Sequence, residues 1–246
     1  MSAHGAYQTN GIILARTNYG EADRILRILT PEHGKISAIA KGSRRVKSKA
    51  GGHLELLGEV ALSLNSGRGS LELVTSARLV WYPHDLTADY TRLGSAFMVA
   101  RAADKLTEPE HPTPGLYELV RGALEVINAG PPADLFELWF KLRLASTLGY
   151  RPDLSGCVAC GEHNAATAYL FSPERGGLAC GSDAGVTDIP ITTAQIKFWR
   201  LLCDHDYGTI SHITGAAEHA SATLEACDQF YAYHIGQTFK PNFTGA

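Results

Sequence analysis

No apolar run in this chain of 246 residues approaches the roughly 18 residues that a membrane-spanning helix needs. The amino terminus also lacks the basic, apolar and small-residue succession of a secretory signal. A cytoplasmic protein with no membrane partner is expected. Equally absent are a Gly-x-x-x-x-Gly-Lys phosphate loop, a Gly-x-Ser-x-Gly elbow, a His-Glu-x-x-His helix and a paired-carboxylate motif. The chain thus offers none of the usual settings for a nucleotide, a nucleophilic serine or a catalytic metal. Glu162 and His163 stand near cysteines but outside any such setting. The expectation is a protein that binds rather than catalyses. Two smaller gaps are more pointed: no acidic residue occurs between Glu32 and Glu55, and a cysteine pattern with room for four ligands contains three.

The first gap holds six cations, Lys35, Lys41, Arg44, Arg45, Lys47 and Lys49, in a Gly- and Ser-rich stretch. The whole chain has a formal charge of −3. Residues 1–80 nevertheless hold 11 Lys and Arg against 6 Asp and Glu, net +5, while residues 81–246 hold 11 against 19, net −8. Like charges crowded into one loop repel one another, and a polyanion relieves that repulsion because its phosphates supply the missing counter-charge. An ordinary solvated loop is the plain alternative.

Five short segments precede residue 82 with strand character: Gly11 to Thr17, Arg24 to Thr30, Lys35 to Ala40, Glu59 to Asn65 and Leu71 to Val80. Asn18-Tyr19-Gly20, Pro31-Glu32-His33-Gly34 and Ser66-Gly67-Arg68-Gly69 punctuate them with turn residues. Five strands without a long helix predict a small barrel, of which the oligonucleotide-binding form is the commonest functional version and an SH3-like form the alternative. In such a barrel the segment 41–53 is a loop beside the binding face. Lys35, Arg16, Arg24 and Arg27 would extend its cations into a track. Tyr7 and Tyr19 are the nearest rings that could stack on bases, although rings at turns more often serve packing. With so few rings, binding should lean on phosphates and respond strongly to salt.

After Trp81-Tyr82-Pro83 the apolar spacing becomes helical over Leu86 to Leu106, Gly115 to Ala129 and Ala133 to Leu148, then over Thr192 to His205 and Ala216 to Phe239. Two domains are therefore expected, 1–82 for nucleic acid and a helical 83–246. Phe136, Trp139, Phe140 and Leu144 form a stripe that reads as core; a groove beside Lys141 for a partner's apolar tail is the alternative. Within the helical part, Cys157-Val158-Ala159-Cys160 is followed after 19 residues by Cys180, the spacing of a zinc-finger-like module at about 154–186. Asp183 occupies the place of a fourth cysteine. One structural zinc held by Cys157, Cys160, Cys180 and Asp183, or with His163 as the fourth ligand, is chemically open. So is a module without metal. A redox pair is disfavoured, because no positive side chain flanks Cys157 or Cys160 to lower a thiol pKa.

Several segments, taken in order, resemble the bacterial recombination mediator family RecO. They are Gly11-Ile12-Ile13-Leu14, Tyr19-Gly20-Glu21-Ala22-Asp23-Arg24, Leu29-Thr30-Pro31-Glu32-His33-Gly34-Lys35 and Ala40-Lys41-Gly42-Ser43-Arg44-Arg45. Later come Leu148-Gly149-Tyr150-Arg151-Pro152-Asp153-Leu154, Cys157-Val158-Ala159-Cys160-Gly161 and Phe171-Ser172-Pro173-Glu174-Arg175-Gly176-Gly177. The resemblance implies an α+β chain with an amino-terminal five-stranded OB-fold barrel, a helical domain and a zinc-ribbon-like cysteine module. It implies a non-enzymatic role in DNA repair: binding single- and double-stranded DNA, annealing complementary strands, and working with RecR to load recombinase onto strands coated by single-strand-binding protein. A nucleoid-associated cytoplasmic location follows. DNA contact is carried by the resemblance to Lys35, Lys41, Arg44 and Arg45, and charge alone adds Lys47 and Lys49. On physical grounds a protein-protein adaptor with incidental nucleic-acid binding stays open, and an RNA-binding protein fits almost as well.

Overall fold

A computed structural model describes residues 5–48, 50–66, 71–131, 133–162 and 169–241, apart from the side chains of Thr87, Ala88 and Asp183. Contacts divide the chain into two compact units, Met1–Gly130 with Phe239–Ala246, and Pro131–Thr238. In the first, β1 (Tyr7–Tyr19), β2 (Asp23–Thr30), β3 (Gly34–Ala40), β4 (Glu59–Asn65) and β5 (Leu71–Trp81) close into a barrel of order β1-β2-β3-β5-β4, with β4 returning to β1. Only β3 and β5 run parallel; the other neighbours are antiparallel. This is the oligonucleotide-binding barrel. Ile13, Leu26, Ile28, Ile36, Val60, Leu62 and Leu64 fill its interior. Deleting such a side chain, as in Leu26→Ala, typically costs about 2–5 kcal/mol.

The turn chemistry is local and specific. Between β2 and β3, Thr30 Oγ1 donates to Gly34 O at 2.9 Å and accepts from His33 N at 3.1 Å. Gly34 has φ of 63°, and a Cβ there would lie 2.5 Å from the His111 carbonyl oxygen, so only glycine fits. The barrel's unit runs past residue 82 because α1 (Tyr90–Lys105) and α2 (Leu116–Ala129) are bonded to it. Glu59 on β4 accepts from Tyr117 at 2.9 Å and Arg121 at 2.7 Å, and the Arg121 guanidinium lies 3.8 Å from the centre of the Trp81 ring.

The second unit joins α3 (Ala133–Thr147), α4 (Thr193–Asp204), α5 (Tyr207–Ile210) and α6 (Ala216–His234) with a small sheet. Its strands are β6 (Asp153–Cys157), β7 (Tyr169–Ser172), β8 (Gly177–Cys180) and β9 (Ile189–Ile191), in the order β6-β8-β7-β9. Thr192 caps α4 in a reciprocal bond pair with Gln195. Phe136, Trp139, Phe140 and Leu144 are all buried, so the stripe is core and not an open groove. Lys141 is buried among them with its ammonium held by Glu137 and Asp228. Among the described residues no helix is long and apolar enough to cross a membrane.

Candidate functional site

The basic segment is a seated loop at one corner of the barrel. β1 and β2 meet in a tight turn at Gly20, whose φ of 56° favours glycine. The loop after β3 docks on that turn through its main chain. Gly42 N donates to Asp23 Oδ1 at 2.7 Å, and Arg44 N donates to Ala22 O at 2.9 Å. Two further main-chain bonds, Arg45 N to Gly42 O and Ser48 N to Arg45 O, fold the loop on itself. Ser43 is buried beneath it, and its Oγ finds no hydrogen-bond partner among the described residues.

On this seat Lys41, Arg44, Arg45 and Lys47 are exposed, and none makes an ion pair among the described residues. Arg44 Nη1 approaches only the carbonyls of Glu21, at 3.3 Å, and Gly20, at 3.4 Å. With Glu21 and Asp23 counted, these four cations still leave the corner at net +2. Lys49 lies outside the described residues.

The other expected contacts are placed differently. Lys35 is buried; its ammonium bonds the carbonyl of Asp104 and, at 2.7 Å, that of Thr107. These are carbonyls at and beyond the end of α1, where a cation suits the helix terminus. Burial lowers the Lys35 pKa, against the raising influence of Asp104. Arg27 Nε also reaches Asp104, at 2.8 Å, and Arg16 pairs with Glu55 at 2.8 Å. Arg24 is half-buried, and its Nε has no partner among the described residues. Lys35, Arg27 and Arg16 thus have acidic or carbonyl partners inside the first unit, whereas the loop cations make no ion pair among the described residues. Sequence reasoning missed Ala22 and Asp23 as the anchor, although both stand in a quoted segment.

In the second unit the three cysteines converge. Their sulfur atoms lie within 4.8 Å of one another. Cys157 ends β6 and Cys180 ends β8. A tight turn stands between Cys157 and Glu162, closed by Gly161 N to Cys157 O at 2.8 Å and Cys157 N to Glu162 O at 2.9 Å. Cys180 N donates to Cys157 Sγ at 3.3 Å, Cys160 and Cys180 sulfurs are 3.7 Å apart, and Ser182 Oγ lies 3.0 Å from Cys180 Sγ.

Burial alone would raise the Cys157 pKa, but amide N–H groups of Cys160, Cys180 and Ala159 outweigh it and bring the thiol down to about 7. This corrects the inference that nothing nearby lowers a thiol pKa: the positive ends of main-chain amides do so, and they leave no mark in the side-chain sequence. At Cys160 an amide of Glu162 lowers the value, yet the neighbouring sulfurs raise it to about 11. Converging soft sulfurs, one favoured as thiolate, fit a thiophilic metal ion. The Asp183 side chain and His163 lie outside the described residues. Cys203 and Cys227 are buried away from this cluster, as expected for small packing residues.

Comparison with known proteins covers both halves of the chain. Residues 1–82 match the family described as recombination protein O N terminal, and residues 87–242 match recombination protein O C terminal. The DNA repair protein RecO of Bifidobacterium adolescentis is 35% identical over 234 residues, covering 93% of this chain and 94% of its own. That of Roseiflexus is 37% identical over 198 residues, covering 80% and 69%. That of Cutibacterium acnes is 37% identical over 182 residues, covering 71% and 72%. An oligonucleotide-binding barrel with a seated basic loop, a three-cysteine cluster and likeness along nearly the full length thus converge on one conclusion: the chain belongs to the RecO family of DNA repair and recombination proteins.

Proposed function

We propose that the protein is a recombination mediator that binds single- and double-stranded DNA, anneals complementary strands and, with RecR, helps load recombinase onto strands coated by single-strand-binding protein. It does so without catalysing covalent chemistry. The observation that carries the DNA-binding reading is the set of exposed cations Lys41, Arg44, Arg45 and Lys47, held on a main-chain seat with no internal counter-ion among the described residues. Annealing brings two phosphate backbones together, and cations that neutralise both lower that repulsion while leaving base edges free to pair. RecR and single-strand-binding protein enter through family membership. The cysteine cluster supports a second, structural element of the reading: one zinc ion held by Cys157, Cys160 and Cys180, with Asp183 as fourth ligand. When bound, it would cross-link the ends of β6 and β8.

The test is annealing of two complementary strands without nucleotide across a salt series. Wild type and a Lys41→Glu/Arg44→Glu/Arg45→Glu variant are compared. Wild type is expected to accelerate annealing, and the variant to lose that acceleration. In parallel, the slope of log affinity against log salt for a single strand should become shallower by about 2 in the variant, since each lost phosphate contact removes about 0.7. An unchanged affinity and slope would refute the role of the loop.

A further inference from the structure

We propose that Tyr19 is a base-stacking platform which gives the basic corner a preference for single-stranded over duplex DNA. The inference deepens the DNA-binding reading and rests on it. Tyr7 and Tyr19 look equivalent in sequence, and the structure separates them. Tyr7 is half-buried, with its ring centre 4.6 Å from that of His33, and burial with nearby Glu72 and Glu110 pushes its hydroxyl up to about 12. It is a packing residue. Tyr19 is 55% exposed at the last position of β1.

The strand register fixes where that ring projects. Tyr19 stands directly opposite Asp23 in the β1–β2 pair. Residues directly opposite in an antiparallel pair project from the same face of the sheet. Asp23 uses that face to hold Gly42, its Oδ1 accepting from the amide at 2.7 Å. The Tyr19 side chain therefore leaves the barrel on the face where the basic loop is seated. In the turn between them, the carbonyls of Gly20 and Glu21 meet the Arg44 guanidinium. The turn that follows Tyr19 is thus the one on which the Arg44 guanidinium rests. Val46, between Arg45 and Lys47, is fully exposed on the same loop, so the corner presents apolar surface as well as charge.

A ring beside phosphate-binding cations is useful only against a base with a free face. In duplex DNA the faces are covered by neighbouring base pairs; in a single strand they are available, and a ring stacks on any base because each has a π-face. Lys41, Arg44, Arg45 and Lys47 serve both forms of DNA, whereas Tyr19 serves one. For a protein that brings separate strands together, such a platform would favour the reactant strands over the finished duplex.

The experiment measures binding of labelled oligo-dT of about 20 nucleotides, and of a duplex of equal length, over a salt series. Tyr19→Ala is expected to weaken oligo-dT binding by about 5- to 100-fold, with the salt slope and the duplex affinity unchanged. Tyr19→Phe should retain wild-type affinity, because stacking needs the ring and not the hydroxyl. Tyr19→Trp should lose fluorescence on adding oligo-dT and keep it on adding duplex. Equal weakening on both DNA forms, or no weakening, would overturn the platform. Absence of DNA binding by wild type would overturn the underlying reading too, whereas wild-type binding with an indifferent Tyr19→Ala variant would overturn the platform alone.

Discussion

At Lys35 the carbonyls of Asp104 and Thr107 occupy the place that a phosphate would need. The residue's contribution is to stability, since replacing it takes the ammonium from one buried and one part-buried carbonyl. Lys35→Met is expected to lower unfolding free energy by about 1–3 kcal/mol, measured by urea denaturation, while leaving the salt slope for DNA unchanged. Asp188 offers a second residue-scale test, in the other unit. Its carboxylate is almost wholly buried, which raises its pKa. Bonds from Ser172, from the Gly185 amide at 2.8 Å and from Arg175 outweigh that and hold it below the usual carboxylate value. A folded pKa below the unfolded value of about 3.9 means that its stabilisation is complete above that pH and is lost as pH falls through the folded value. The stability gap between wild type and Asp188→Asn should thus be constant above about pH 5 and shrink below about pH 4 in denaturant titrations.

Among elements, the cysteine turn makes the clearest demand. If zinc joins the ends of β6 and β8, purified protein should carry about one equivalent of zinc by elemental analysis. Chelation, or Cys157→Ser, should lower its melting temperature; metal-free wild type with an unchanged melt after chelation would refute the zinc. The barrel strands were legible in sequence because each has Gly or Pro punctuation and enough alternation, and all five occur within a few residues of their expected ends. The helices were legible from three-and-four spacing. By contrast, β6 to β9 have three to five residues each and α5 has four, too few for a period to declare itself. The inward turn of Lys35 was hidden for another reason. Its partners lie 69 and 72 residues later, so a nonlocal contact chose its direction. The loop cations were visible as charge, but their seat on Ala22 and Asp23 was not, because half of it is main chain.

Taken whole, the molecule separates its charge by unit: residues 1–130 with 239–246 sum to +3, and residues 131–238 to −6. This sharpens what the sequence halves indicate: the positive excess lies in the barrel's unit. At physiological ionic strength the screening length is about 8 Å, so a polyanion bound at the corner would respond chiefly to charges within that distance of it. The main-chain seat of the loop has a consequence for how such a protein can change over generations. Since the bonds that position the loop belong to Gly42, Arg44 and Ala22 backbones and to Asp23, the cationic side chains are ornaments on a fixed mount. Such side chains could be exchanged, added or dropped one at a time, adjusting the charge of the corner without renegotiating the fold beneath.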